Sequence, residues 1–296
     1  MNAHNRPVVV GVDATDDGDR ALHFAVQEAL RLHRPLRVVH AIVEDRALVP
    51  LAPLLPVAYP PSAIDIGKRI VDSAVRLAEH LGGEDLVVDE ILAHGSRREV
   101  VLEHAEGAHE IVLGRRHSTL ARVATGSTTS AVAAHSPCPV VLVPSVWRSD
   151  IVRHRVVAGL DGSSAAEKVL DHAFEAAEAR DATLSLLCAW RPEAAYDAAI
   201  GARVHADEWT REAQRRIAEI SAGARADHPD IPVATIAEYE LTATALTEAS
   251  RSADLLVLGR TGQGGPFGLM LGSVTHALLR TAECPLAIVP VDRDDH

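Results

Sequence analysis

The residues best suited to chemistry lie in the stretch GRTGQGGPFGLMLGS, from Gly259 to Ser273. Its skeleton is Gly259, two residues, Gly262, nine residues, then Gly272 and Ser273. Glycine lacks the Cβ that keeps other residues out of left-handed turns, so a glycine-rich turn lets successive backbone N–H groups face one concavity and hold anionic oxygens. Gly272 and Ser273 precede Val274, Ala277 and Leu278, apolar residues at helical spacing. A helix N-terminus is expected there, where unpaired N–H groups, the positive dipole end and a hydroxyl favour phosphate. Asp161 closes the first apolar run of the same half of the chain, where a carboxylate is placed to accept hydrogen bonds from a ribose. The expected ligand is a ribonucleotide. A Walker A loop needs GK[ST], and neither lysine, Lys68 nor Lys168, stands in one. The dinucleotide fingerprint should follow the first strand, where the chain reads GLDGSSAAE. No Ser-His-Asp order with an elbow motif is present, so no catalytic residue is nominated.

The elements that must position these residues are written twice. RPVVVGVDATDDGDRAL, Arg6 to Leu22, aligns with RHRVVAGLDGSSAAEKVL, Arg153 to Leu170, so that Asp13 matches Asp161. LRVVHAI, Leu36 to Ile42, aligns with LSLLCAW, Leu184 to Trp190, and EIVLGRR, Glu110 to Arg116, with LLVLGRT, Leu255 to Thr261. Each copy then has a Gly-Ser pair and a closing run, SPCPVVLVP or AECPLAIVP. Ordered landmarks of this kind mark an internal duplication. The domains are set at residues 1–146 and 153–292, joined by a linker around Trp147.

Each copy alternates short β-branched runs with longer segments of helical periodicity, the pattern of parallel strands and crossover helices. The strands of copy one are expected at Val8–Asp13, Leu36–Val43, Leu86–Leu92, Glu110–Gly114 and Val140–Val143. Those of copy two are expected at His154–Asp161, Thr183–Trp190, Val233–Glu238, Asp254–Gly259 and Leu286–Val289. Helices are expected over Asp19–Leu32 and Ala165–Arg180, and the proline-rich Val49–Pro61 as a loop. The fold class is α/β, with two tandem doubly wound domains, each a five-stranded parallel sheet of strand order 3-2-1-4-5. In that order the first and fourth strands adjoin, which brings Asp161 beside the Gly259 turn.

Composition narrows the partners. With 29 basic against 41 acidic side chains in 296 residues, the net charge of -12 disfavours nucleic acid and anionic membranes. The three cysteines are too few and too scattered for a disulfide framework or a zinc knuckle, which fits a reducing cytoplasm. Cys138 and Cys284 occupy equivalent Cys-Pro positions and read as small buried hydrophobes. The sixteen histidines contain no ligand spacing, so they are expected to face solvent, and no metal site is assigned. Asp16, Asp17 and Asp19 open a helix and read as capping and dipole compensation.

With GLDGS after the first strand and the glycine skeleton after the fourth, the repeat resembles the universal stress protein family, and the doubled length resembles its tandem actinobacterial members. The resemblance implies an adenine nucleotide alpha hydrolase-like fold. It also implies bound ATP, with Mg as a possible companion, in a nucleotide-dependent stress-response module. Carried onto copy two, it implies a site of Gly159, Asp161, Ala189, Leu258, Gly259, Gly262, Gly272, Ser273 and Val274. In copy one the matching positions are Gly11, Asp13, Ala41, Gly114, His117, Gly126 and Ser127. Copy one departs from the pattern: His117 replaces a glycine, the following loop is one residue shorter, and Ala14 stands where copy two has Gly162. The two sites are therefore expected to be unequal. The family also pairs domains through the final strand, which implies a homodimer or an intramolecular pseudo-dimer. A slow ATP-hydrolysing enzyme and a ligand-free structural dimer are the alternatives.

Overall fold

The computed structural model describes residues 6–43, 62–115, 127–162, 166–189, 197–262 and 271–290. The first repeat runs β1 (Val8–Gly11), α1 (Asp16–Arg31), β2 (Leu36–Ile42), α2 (Ala63–Gly82), β3 (Val88–His94), α3 (Arg97–His104), β4 (Glu110–Arg115), α4 (Ser127–His135) and β5 (Val140–Pro144). The second runs β6 (Arg155–Gly159), α5 (Ala166–Glu178), β7 (Thr183–Ala189), α6 (Asp197–Ile220), α7 (Ala222–Asp227), β8 (Val233–Glu238), α8 (Thr242–Ser250), β9 (Leu255–Gly259), α9 (Ser273–Thr281) and β10 (Leu286–Val289).

Successive side chains of a strand leave on opposite faces of the sheet, and both faces here are covered, so the strands read as unbroken apolar runs. Val8 and Val10 enter one core with Leu22 and Phe24 of α1, Ala74 of α2, Phe174 of α5 and Ile217 of α6. Val9 enters the other with Val100 of α3, Val132 of α4, Leu246 of α8 and Leu278 of α9. Each core contains residues from both repeats, because the strands form one ten-stranded sheet, β3-β2-β1-β4-β5-β10-β9-β6-β7-β8. Each half has the expected 3-2-1-4-5 order. The join is antiparallel, with Val140, Val141 and Leu142 opposite Ile288, Ala287 and Leu286. That pairing covers two strand edges that would otherwise present unpaired N–H and C=O groups.

The repeats also meet through their helices. Arg180 pairs with the buried Glu28, and Arg34 Nη2 lies 3.3 Å from Glu175 Oε1. Linker residue Trp147 stands edge-on to Phe24 at 5.5 Å between ring centroids. On the other face Arg115 donates to the carbonyls of Leu278 and Ala282 at the end of α9. Arg260, its counterpart in the second repeat, donates to those of Ala134 and Ser136 at the end of α4.

Boundaries move where a local hydrogen bond outweighs apolar periodicity. The helix expected from Asp19 begins at Asp16, because the Thr15 hydroxyl accepts from the Gly18 N–H and caps the chain three residues earlier. Asp16, Asp17 and Asp19 then occupy its first turn. The third strand starts at Val88 and not at Leu86, which follows a single 3-10 turn over Gly83–Asp85 and turns inward while Val87 stays exposed. The proline-rich segment and the strand end expected at Trp190 lie outside the described residues. Among the described residues no helix is long and apolar enough to cross a membrane.

Candidate functional site

In the second repeat β6 pairs with β9 and β9 with β10, so the C-terminal ends of the first and fourth strands lie side by side. The chain leaving β6 carries Asp161 and then Gly162 at φ +71°. The chain leaving β9 carries Arg260, Thr261 and Gly262. A Cβ on Gly262 would stand 2.2 Å from Asp161 Oδ2, so only a residue without a side chain lets the carboxylate lie against this turn. Gly272 comes back onto the same turn: its N–H donates to the Arg260 carbonyl at 2.9 Å, and a Cβ on it would lie 3.6 Å from the Gly262 nitrogen.

Gly272 is the N-cap of α9, and no side chain caps this end. Its extended backbone, φ -65° and ψ 156°, turns the chain into the helix at Ser273. The Thr275 hydroxyl donates to the Gly259 carbonyl at 3.0 Å, which ties the first turn of α9 to the end of β9. Helix N–H groups and strand-end N–H groups thus converge on one place, next to a carboxylate. That arrangement suits a phosphorylated group on the glycine side and a hydroxyl on the Asp161 side.

The remaining predicted residues frame this crevice. A Cβ on Gly159 would lie 2.4 Å from Leu258 Cδ2 and 3.1 Å from Leu246 Cδ2, so the glycine lets the core close tightly beneath the strand ends. The Leu258 side chain is buried in that core and leaves only its backbone for a ligand. Ala189 ends β7, and its carbonyl accepts from the Thr242 hydroxyl at 3.2 Å. Val274 is half-buried against the core on the α9 face.

The first repeat builds the same corner with different fittings. Ala14 adopts φ 54° where the second repeat has Gly162, a left-handed conformation that an L side chain adopts only with strain. Asp13 Oδ1 accepts from the Thr15 hydroxyl at 2.5 Å, and a Cβ on Gly18 would stand 2.9 Å from the same oxygen. A Cβ on Gly114 would meet the Asp17 carbonyl oxygen at 2.2 Å, so the first turn of α1 presses on the end of β4. A Cβ on Gly11 would lie 2.7 Å from Leu113 Cδ2, and Ala41 is buried. His117 and Gly126 lie outside the described residues, and Ser127 begins α4.

Sequence reasoning missed Arg216. It lies on α6, outside the glycine motif, yet a Cβ on Gly162 would stand 2.9 Å from its Nε and 3.0 Å from its Nη2. This exposed guanidinium adds a positive charge at the rim of the second repeat's crevice. Asp161 also faces Cys188: burial and then the Asp161 carboxylate push the thiol up, against Arg216, which pulls it down. The only legible signal for Arg216 was a basic residue on the crossover helix, and helix surfaces carry many of those.

The expectation that the histidines face solvent fails for two of them. His172 is buried, and the His109 side chain is 11% exposed. Their rings lie 6.2 Å apart between centroids, one on each side of the repeat boundary. Spacing within the sequence could not show a contact made only when α5 packs against the start of β4.

The fold just described defines a class: a tandem pair of doubly wound α/β units, each with a topological switch point between its first and fourth strands. The model of the universal stress protein family matches residues 4–144 and 153–290. The universal stress protein Rv2005c of Mycobacterium tuberculosis is 32% identical over 290 residues, covering 95% of this chain and 96% of that one. A universal stress protein of Mycolicibacterium smegmatis is 29% identical over 288 residues, with 95% and 96% covered. The crystal structure of a universal stress protein from Archaeoglobus fulgidus has the same fold, with a TM-score of 0.69 at 17% identity and 97% of each chain covered. The chain belongs to the universal stress protein family.

Proposed function

We propose that this protein is an ATP-binding regulatory module of the stress response, and that its second repeat holds the nucleotide. One observation carries the reading: Asp161, Gly262 and the uncapped N-terminus of α9 meet at one point, with no room for a side chain on Gly262. The triphosphate lies against the N–H groups from Gly262 and from Ser273 onward, and the Asp161 carboxylate accepts from the ribose. Arg216 closes over the rim. A Mg ion bound with the triphosphate would share its charge. The binding power is local, because residues 1–147 carry a net charge of -4 and the half with the more complete site carries -8. The first repeat is the weaker site, with Asp13 already engaged by Thr15 and a strained Ala14 at its corner.

Among the described residues of this corner no catalytic base is nominated, and nucleotide occupancy is taken to be read through conformation. The pseudo-dimer is read as intramolecular, a reading supported by the pairing of β5 with β10 within one chain. Mass spectrometry of gently purified protein tests the reading. Co-purifying ATP supports it, release of ADP and phosphate points to hydrolysis, and a protein that neither carries nor takes up nucleotide overturns it.

A further inference from the structure

Among the described residues the polar cluster buried where the two repeats meet shares none with the corner around Asp161 and Gly262, and it has a different chemistry. Its parts come from both halves of the chain. His109 and Glu110, the latter buried at 3% exposure, open β4 of the first repeat. His172 and Glu175 lie on one side of α5 of the second. One ligand atom from each of His109, His172 and Glu175 lies within 4.8 Å of the other two. His109 Nε2 is 3.9 Å from Glu175 Oε1, and His172 Nε2 is 4.0 Å from Glu110 Oε2.

Two atoms of this cluster are unexplained by the protein alone. Glu110 Oε1 and His172 Nε2 are shut off from solvent, and neither has a hydrogen-bond partner. Such a group forfeits its hydration without a replacement bond, and the loss is larger when it is charged. Of the nearby cations, Arg180 and Arg31 lie against Glu28, while Arg34 holds Glu175 Oε1 within the cluster itself at 3.3 Å. The ion-pair contact of Glu110 is with His172 alone among the described residues. Two imidazoles and two carboxylates, one of each with an orphaned atom, facing one another across an interface, are the donor set of a divalent transition metal.

We propose that His109, His172, Glu175 and Glu110 form an interdomain site for a divalent transition-metal ion, zinc first, that fastens the two repeats together. Tetrahedral zinc places its ligand atoms about 3.4 Å apart. Binding would draw in the ligand atoms of His109, His172 and Glu175, now all within 4.8 Å of one another, with Glu110 behind His172 at 4.0 Å. Glu175, whose side chain is 43% exposed, gives the ion its way in from solvent, while His172 and Glu110 form the closed back of the site. Zinc and not magnesium is the match, because two imidazole nitrogens favour the softer ion.

The test uses the full chain without a histidine tag. Elemental analysis after dialysis against zinc should find one ion per chain, and cobalt titrated into the stripped protein should give the intense visible absorption of a tetrahedral site, abolished by zinc. His172→Ala should remove that absorption and weaken metal binding by more than about a hundredfold, beyond the cost of a lost supporting contact. Should that variant fail to fold, Glu175→Gln, at a half-exposed position, should weaken binding and shift the cobalt spectrum. Absence of stoichiometric metal, or binding that survives both substitutions, overturns the proposal. Circular dichroism and the response to ATP should be unchanged in Glu175→Gln, which separates this site from the nucleotide crevice.

Discussion

Arg115, the last residue of β4, donates from Nη1 to the carbonyl of Leu278 at 2.9 Å, and from Nη2 to that of Ala282, where α9 has ended. It belongs to the first repeat and the helix to the second. The helix whose N-terminus faces the Asp161 and Gly262 corner of one repeat is thus held at its C-terminus by the other. A guanidinium suits that place, because it adds a second donor to the Leu278 carbonyl, binds the Ala282 carbonyl past the helix end, and opposes the negative dipole end. Burial brings the Arg115 pKa down to about 10, still far enough above neutrality to keep the charge. Arg115→Met keeps most of the aliphatic bulk and removes both bonds. It is expected to cost about 2–3 kcal/mol of stability, measured by urea denaturation, with Arg115→Lys recovering part of the loss.

The corner after each first strand offers a paired exchange. Ala14 has φ 54° and Gly162 φ 71°, so the two repeats require the same left-handed conformation and only the second has the residue suited to it. Ala14→Gly should stabilise the chain by about 0.5 kcal/mol, the relieved strain less the entropy of a freer unfolded chain. Gly162→Ala should destabilise it by at least as much and crowd Arg216. Thermal midpoints of the two variants that moved in the same direction would contradict this account of the corner.

Arg216 reaches the crevice from α6 and is exposed, so its removal tests binding with little effect on folding. Arg216→Ala should weaken ATP about tenfold, the value of one charged contact to a phosphate, and leave the thermal midpoint within about 1 °C in the absence of nucleotide. Arg215, its neighbour, pairs instead with Glu212 and Glu219. Arg215→Ala should leave ATP affinity unchanged, and fluorescence titration of a labelled nucleotide can compare the two.

The two Cys-Pro cysteines should be silent toward alkylation. Burial pushes the Cys138 thiol up to about 11 and the Cys284 thiol up to about 12, against an ordinary value of 9.0. Both therefore stay protonated in the folded protein after they have ionised in the unfolded chain. The stabilisation is complete below about pH 9 and is lost as the pH rises toward 11–12, at up to about 1.4 kcal/mol per pH unit for each thiol. Stability measured from pH 8 to 11 should fall, and Cys284→Ala should flatten the decline. Iodoacetamide should leave both thiols intact at pH 8 until denaturant is added.

Much of the architecture was legible because it rests on periodicity. The apolar runs of β8 and β10 coincide with the expected strands, Val233–Glu238 and Leu286–Val289, and the repeat dictated that the second sheet copies the first. Glycine positions were legible for a related reason: Gly262 must approach Asp161, and no other residue type permits it. What escaped was set by packing between distant segments. Thr15 moved a helix start through one hydroxyl, Arg216 arrived at the crevice from a crossover helix, and His109 met His172 only because the repeats face each other through α1 and α5. No spacing rule applied within a single segment contains those contacts.

The most direct measurement of the nucleotide assignment is isothermal titration of ATP into the full chain and into its Gly262→Ala variant. A methyl group there must displace Asp161, whose Oδ2 lies 2.2 Å from the position it would take. The wild-type chain should show a high-affinity site that the variant loses, with affinity falling at least tenfold while the circular dichroism spectrum is unchanged. Equal affinities in the two proteins would contradict the placement of ATP between Asp161 and the N-terminus of α9.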